Sequence, residues 1–334
     1  MAKIYHDADA DLGVLKTRQV GIIGYGNQGR AQALNLRDSG IPVMVGNLKD
    51  EYGQQARADG FGAEDPALVA KTTDVLLILI PDEIQAAVYQ EFIAPGLRPG
   101  KILSFASGYN IHFQKIVPPA GVEAIMVAPR MIGSAVRRLY QEKRGFPCLV
   151  GVRRPAGPQA LPVALALAKG IGATRLGAFA SSFEEETVID LFAEQMLWPG
   201  IIRQCLLYFE MLVANGCDPE VVASELHLSG EFVEIAKAMI TQGFFEQLLL
   251  HSQTSQYGQL SRAARLAGED ALTREAQRAL DEIRAGTFAQ EWSAEQAAGK
   301  PNLAKFWQQA RRHPLAVAEK NLETLRKAVA LMLE

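Results

Sequence analysis

The stretch Val20-Gly21-Ile22-Ile23-Gly24-Tyr25-Gly26-Asn27-Gln28-Gly29 decides the fold. A short apolar run enters G-x-G-x-x-G, and a helical pattern with Ala31, Leu34 and Leu36 follows. Strand, glycine loop and helix in that order form the dinucleotide-binding fingerprint. Gly24 is expected to make the tight turn, Gly26 to let the backbone approach a diphosphate, and Gly29 to let helix pack on strand. The helix N-terminus then offers unpaired amides and a positive dipole end to the phosphates. Alone, the six-residue pattern is weak. Its context strengthens it, because Val43-Met44-Val45-Gly46, residues 74–80 and Ile102-Leu103-Ser104-Phe105 continue an α/β rhythm. The first half reads as a Rossmann-like α/β domain that binds a nicotinamide cofactor.

Which nicotinamide is decided near the end of the second strand. An acid there accepts from the ribose 2′-hydroxyl, whereas basic or hydroxyl groups hold a 2′-phosphate. The chain reads Asn47-Leu48-Lys49-Asp50-Glu51-Tyr52. Lys49 favours phosphate, Asp50 and Glu51 disfavour it, and the balance leans to NADH over NADPH.

From Ser182 onward strand signals nearly vanish. A boundary is expected near residues 180–182, dividing the chain into 1–181, Rossmann-like, and 182–334, helical. Ser182-Phe183-Glu184-Glu185 reads as a capping box, with the serine accepting from the Glu185 amide and the glutamate reaching back. An apolar-rich helix runs to about Ala214, kinked or split by Pro199-Gly200 and capped by Gly216. Asp218-Pro219 supplies an N-cap and a proline at N1 for a helix through about Ile240. Further helices are expected over residues 271–285 and 314–333. The proline-rich residues 153–162 read as a loop inside the first domain. Asp190 and Glu194 stand one turn apart on one helix face. Carboxylates so placed repel unless a cation lies between them; a divalent ion such as Mg2+ is one candidate, and a solvated acidic face is the plainer reading.

With 334 residues there is room for two domains, and a net charge of −3 gives no electrostatic reason to expect nucleic acid. Cys148, Cys205 and Cys217 lack the spacing of a zinc site or a disulfide framework. The opening Met1-Ala2-Lys3-Ile4-Tyr5 lacks a signal-peptide apolar region, and no apolar run is expected to cross a bilayer. A cytoplasmic protein is expected, without membrane or nucleic-acid partners.

The chain closely resembles the short-form ketol-acid reductoisomerases of branched-chain amino-acid biosynthesis. The likeness covers essentially its whole length. It is carried by Ile23 to Gly29, by Ala33-Leu34-Asn35-Leu36-Arg37-Asp38-Ser39-Gly40, and by Pro81-Asp82-Glu83-Ile84-Gln85. Asn110-Ile111-His112-Phe113 and Met126-Val127-Ala128-Pro129 follow, then Asp190-Leu191-Phe192 with Glu194-Gln195. Gly286-Thr287-Phe288-Ala289 and Ala298-Gly299-Lys300-Pro301 complete the series. The resemblance implies a Rossmann-like domain and an all-α, knotted domain that pairs with a second copy, so that a homodimer shares its active site. It also implies two reactions at one site: an alkyl migration assisted by two Mg2+ ions, then reduction by NAD(P)H.

The first metal-binding carboxylate pair of that family corresponds to Asp190 and Glu194. Aligned on Leu226-His227, the second pair falls on Ser224 and Leu228, and leucine offers no oxygen. The family's F-A-H-G-F-N reads Phe105-Ala106-Ser107-Gly108-Tyr109-Asn110, with serine for histidine. Its lysine after Val-Ala-Pro is Arg130, which stays charged and cannot readily release a proton. Ser252, aligned with a serine that holds the substrate carboxylate, is kept. His227 and Glu231, with Glu225 nearby, offer a rearranged metal set; the plainer reading makes His227 a hydrogen-bonded helix residue and the two acids solvated.

The candidate catalytic set is therefore Asp190, Glu194, Arg130, Ser107 and Ser252, with Asp190 and Glu194 as metal ligands if Mg2+ binds. The candidate cofactor set is Gly24, Tyr25, Gly26, Asn27, Gln28, Gly29, Asn47, Lys49, Asp50, Pro81, Asp82, Gln85 and Gly133. The expected activity is reduction, without alkyl migration, of a carboxylate-bearing 2-keto acid or an imine derived from one. The alternatives are a ketol-acid reductoisomerase with altered metal ligation and a non-catalytic NAD(P)-binding paralogue.

Overall fold

Apolar runs in the first half become strands buried on both faces, as parallel sheets covered by helices require. The computed structural model describes residues 2–266 and 270–327, in two compact units, Met1–Asp190 and Leu191–Glu334. The first unit holds β1 (Ile4–Tyr5), β2 (Val20–Ile23), β3 (Val43–Gly46), β4 (Val75–Ile78), β5 (Ile102–Phe105), β6 (Glu123–Pro129), β7 (Pro147–Val152) and β8 (Gly177–Ala180). Its helices are α1 (Gly13–Lys16), α2 (Asn27–Asp38), α3 (Glu51–Ala58), α4 (Pro66–Thr72), α5 (Asp82–Val88), α6 (Tyr109–His112), α7 (Gly133–Gln141), α8 (Ala160–Gly170) and α9 (Phe183–Phe192).

The strands form one sheet in the order β1-β8-β7-β6-β5-β4-β2-β3. Pairing is parallel except at β1/β8 and β6/β7. From the β3 edge, the nucleotide-binding strands run second, first, third, fourth, fifth in chain order. This doubly wound arrangement places its switch point between β2 and β4, where ligands bind beyond the strand ends. Side chains alternate between two cores. Val20, Ile22, Val75 and Leu77 face one core with α2, α7 and α8, while Ile23, Leu76, Ile78 and Phe105 face the other with α4 and Phe183 of α9.

Several local expectations change. The proline-rich loop ends before Ala160, and Pro162 sits in the first turn of α8, where its missing N–H has no helical acceptor to lose. Ser182 Oγ accepts from the Glu185 amide (3.0 Å), but the glutamate carboxylate takes its proton donor from Ser181 Oγ (2.6 Å), so only half of the capping box forms. Pro199 does not split the helix at its own position, where α10 is already under way. The chain widens into a π-turn over Ala193–Leu197, with the Trp198 amide donating to Ala193 O, before α10 (Trp198–Ala214). A wider turn just ahead of a proline spares the clash with the preceding turn's carbonyl.

The second unit is helical, and no strand occurs among its described residues. After α10 come α11 (Pro219–Ala223), α12 (Glu231–Thr241), α13 (Gln253–Leu266), α14 (Asp270–Arg284), α15 (Thr287–Ala297), α16 (Pro301–Arg312) and α17 (Pro314–Asn321). Asn215 is the C-cap of α10. Gly216 follows at φ +89°, and the Cys217 amide returns to Leu212 O (3.1 Å). Asp218 caps α11 as expected, accepting from Glu220 and Val221. The single helix expected through Ile240 is instead broken by a π-turn at Ser224–Leu228 and by Gly230 at φ +84°. The helix expected over 314–333 breaks at Leu322, and its end lies outside the described residues.

The continuous helical segment Phe183–Ala214, 32 residues, is long and apolar enough by length and composition to cross a bilayer. That corrects the expectation that no segment qualifies. Neither measure separates a membrane span from a helix that faces another protein surface.

Candidate functional site

A cavity of about 570 Å³ opens at the switch point between β2 and β4. Gly24, at φ +95°, turns the chain where a side-chain Cβ would come within 2.7 Å of Leu79 O. At Gly29 a Cβ would come within 2.1 Å of Gly24 O, so only glycine lets α2 close on the loop. Nothing lies within 4 Å of where a Gly26 Cβ would point, which leaves that wall open to a ligand. The cradle suits a dinucleotide diphosphate: an open glycine wall beneath the N-terminus of a twelve-residue helix.

Of the expected cofactor residues, Gly24 to Gln28, Asn47, Asp50, Pro81, Asp82 and Gln85 line this cavity. Gly29 lies behind the loop. Gly133 starts α7 and lines a neighbouring cavity of about 450 Å³, packed so tightly that a Cβ would meet Asn27 O at 2.0 Å. Lys49 is exposed and does not line the cleft. Asp50 caps α3, accepting from the Gly53 amide (2.9 Å) and from Asn47 Nδ2 (2.7 Å), while Asn47 Oδ1 accepts from the Tyr25 amide (3.0 Å). Asp50 thus fixes the loop beside the cleft through its helix-capping carboxylate.

At the other end of the cleft, Asp82 and Ser107 meet. Ser107 Oγ accepts from the Tyr109 amide (3.2 Å) and hydrogen-bonds the Asp82 carboxylate, whose Oδ1 also accepts from Gln85 Nε2 (3.0 Å). Burial, with the negative charges of Asp190 and Glu83, pushes the Asp82 carboxyl up to about 6 despite these bonds. Tyr109 Oη is buried without a hydrogen-bond partner, and burial with the charge of Asp82 pushes it up to about 12.

Beside them, Arg130 forks across α9. One guanidinium nitrogen donates to Glu186 Oε1 (3.0 Å) and another to Asp190 Oδ1. Glu186 is 1% exposed, and its second oxygen accepts from the Gly108 amide (2.6 Å). Burial raises Glu186 to about 7, with the charges of Asp190 and Asp82 adding to that rise. Sequence reading missed Glu186, although it precedes Asp190 by the same four residues that separate Asp190 from Glu194.

The remaining expected residues belong to the second unit. Glu194 is exposed within the π-turn at the start of the second unit, and Ser252 Oγ caps α13 by accepting from Ser255 (3.3 Å). His227 pairs with Glu319 (2.7 Å), while Glu225 and Glu231 are exposed, which favours the plainer reading of all three. Among the described residues, no group of three or more His, Cys, Asp or Glu side chains is placed to hold a metal ion. With Asp190 already bonded to an arginine, the donors beside it in the first unit do not fit the paired Mg2+ ions the resemblance implies.

Comparison with known proteins shows the family and the fold. Residues 14–177 match the family model "Acetohydroxy acid isomeroreductase, NADPH-binding domain", and residues 183–328 match "Ketol-acid reductoisomerase, C-terminal domain". "Putative ketol-acid reductoisomerase 3" of Saccharolobus solfataricus is 42% identical over 332 residues, spanning 96% of this chain and 98% of that protein. The solved structure of an NADH-preferring ketol-acid reductoisomerase from an uncultured archaeon superposes with a TM-score of 0.90 at 35% identity, over 97% of this chain and 99% of that one. A semialdehyde dehydrogenase NAD-binding protein from Cupriavidus necator shares the fold at a TM-score of 0.59 and 17% identity, over 80% of this chain and 99% of that one.

Proposed function

The chain belongs to the ketol-acid reductoisomerase family and is an NAD(P)H-dependent oxidoreductase; from that premise we propose that it reduces a 2-keto acid, or an imine derived from one, without migrating an alkyl group. The observation that carries this reading is the joining of a dinucleotide cradle to the Asp82–Ser107 pair in one cleft. When bound, the nicotinamide supplies the hydride. The residues of the chain do the rest. The amides at the start of α2 hold the diphosphate, and Asn47 and Asp50 order the loop beside it.

Reduction of a carbonyl or imine also needs a proton. Asp82 holds one on its carboxyl up to a pH of about 6, and Ser107 Oγ can pass it outward while the Tyr109 amide keeps the hydroxyl oriented. Serine in place of histidine at 107 leaves Asp82 as the titrating member of this pair. NADH is the favoured cofactor, since Lys49, the basic residue of the 47–52 loop, lies outside the cleft lining.

A homodimer is part of the same reading. The second unit exposes Ile202, Met211, Phe232, Ile240, Phe244 and Trp307, a density of large apolar groups that a second copy would cover. The substrate's carboxylate falls to Ser252 on the strength of the resemblance.

The test is direct. NAD(P)H oxidation, followed at 340 nm over a panel of 2-keto acids and cyclic imino acids, should appear in EDTA and be unchanged by Mg2+. Turnover of 2-acetolactate only when Mg2+ is supplied would replace this reading with the full isomerisation and reduction. That second reading draws on the 42% identical relative. A protein that binds NADH but oxidises none with any acceptor would be a binding paralogue.

A further inference from the structure

We infer that Arg130 is the resident cation of the α9 carboxylates, filling with a covalently attached guanidinium the role that a divalent metal would otherwise take beside Asp190. Three features converge on this. The first is the fork itself: two nitrogens of one guanidinium reach Glu186 and Asp190, which stand four residues apart on one face of α9. A planar guanidinium spans two carboxylates, whereas the point charge of a lysine serves one at a time.

The second is that the socket has partners of its own besides the arginine. Glu186 is 1% exposed, and the Gly108 amide holds its Oε2 at 2.6 Å, which turns Oε1 toward Arg130. The arginine backbone is anchored in turn, its amide donating to Pro147 O (2.9 Å) at the end of β6. Two fixed backbones therefore set the distance that the fork bridges. The third is the donor set. Mg2+ takes carboxylate oxygens, and while the fork is in place Glu186 Oε1 and Asp190 Oδ1 are both engaged by the guanidinium. Asp190 Oδ1 is already bonded to a group that cannot lose its proton.

The charge that a metal would neutralise on α9 is thus neutralised within the chain, and the site holds its geometry without a divalent ion. This inference is independent of the substrate reading, because it concerns cation occupancy and not turnover.

Mn2+ titration of the full-length protein, read by the electron paramagnetic resonance of the free ion, tests it together with thermal melts in EDTA or millimolar MgCl2. The wild-type protein should neither deplete Mn2+ nor shift its melt. Arg130→Met should melt lower in EDTA, then bind Mn2+ and recover stability in Mg2+. Adding Asp190→Asn to that variant should abolish both gains. If Arg130→Met does not fold, Arg130→Lys keeps one positive charge and should show the same gain in smaller degree. Mn2+ uptake by the wild type that Asp190→Asn removes would overturn the inference. So would folded variants at position 130 that ignore both ions. NADH binding, followed by fluorescence in the same samples, reports on the cofactor cleft separately, so a failure of the reductase reading remains distinguishable.

Discussion

Asp82→Asn should make the first unit more stable at neutral pH while disabling reduction. The carboxyl is raised from 3.8 to about 6, chiefly by burial. A displacement of about two pH units at about 1.4 kcal/mol per unit amounts to roughly 3 kcal/mol as an upper figure. The sign follows from which state holds the proton more tightly. The folded pKa is raised, so this contribution to stability is complete below about pH 4 and is lost as pH climbs through about 6. Roughly 2 kcal/mol of it disappears between about pH 4.5 and 7.5. Asparagine cannot ionise and keeps the local bonding: its oxygen still accepts from Gln85 and Asn110, and its amide can donate to Ser107. The variant should therefore gain on the wild type by roughly 4–8 °C in melting temperature across that interval. Differential scanning calorimetry at the two pH values measures the difference, with NADH fluorescence showing that the cleft still binds. A wild-type-to-variant gap that stays constant with pH would refute the argument that Asp82 is costly to ionise. An undiminished reductase rate in Asp82→Asn would remove it as the proton carrier.

Two other substitutions test the scaffold that positions the site. Lys101 is 1% exposed and donates its ammonium protons to the carbonyls of Ala70 (2.6 Å), Lys71 (3.1 Å) and Thr73, closing the C-terminal end of α4 beneath β4 and β5. Lys101→Met strands these carbonyls and should cost about 3 kcal/mol, read as a lower melting temperature with NADH affinity preserved in the folded fraction. Gly108→Ala places a Cβ 2.2 Å from Phe183 O and 2.5 Å from Thr187 Oγ1, so α9 must move away from the Ser107 loop. Reduction should fall at least tenfold with NADH binding little changed, because the displaced parts are Glu186 and Asp190 and not the glycine cradle. Equal losses in both would place the damage in the fold as a whole.

What the sequence made legible is mostly short in range. Gly24 and Gly29 were readable because a strand, a turn and a helix within ten residues leave few places for a Cβ, and the structure puts backbone oxygens where those atoms would go. Asp218 before Pro219 was readable for the same reason, since a cap concerns amides two and three residues on. Asp50 carries two readings of comparable weight, acid after the second strand and acid before a helix, and the geometry spends its carboxylate on the helix. The Pro199 effect was displaced because a proline constrains the turn before it, and here the chain widens there into a π-turn.

Long-range pairings left no local trace. Arg130 and Asp190 are separated by sixty positions, and nothing in either segment announces that β6 ends where α9 begins its second turn. Glu186 was within reach of the spacing argument, but the pattern D-x-x-x-E drew attention forward along the helix and the partner lay behind.

The site and the fold also constrain each other more closely than a list of catalytic positions suggests. Arg130 bridges Glu186 and Asp190 only because Glu186 is held by the amide of Gly108, and that amide is close enough only because residue 108 lacks a Cβ. Gly108 lies between Ser107, which hydrogen-bonds Asp82, and Tyr109, whose amide orients Ser107. One tetrapeptide, Ser107-Gly108-Tyr109-Asn110, therefore positions both the Asp82–Ser107 pair and the buried carboxylate of the arginine fork. Burial raises the Asp82 carboxyl beside Ser107, and the planar guanidinium of Arg130 secures a helix whose Glu186 and Asp190 charges would otherwise repel one another.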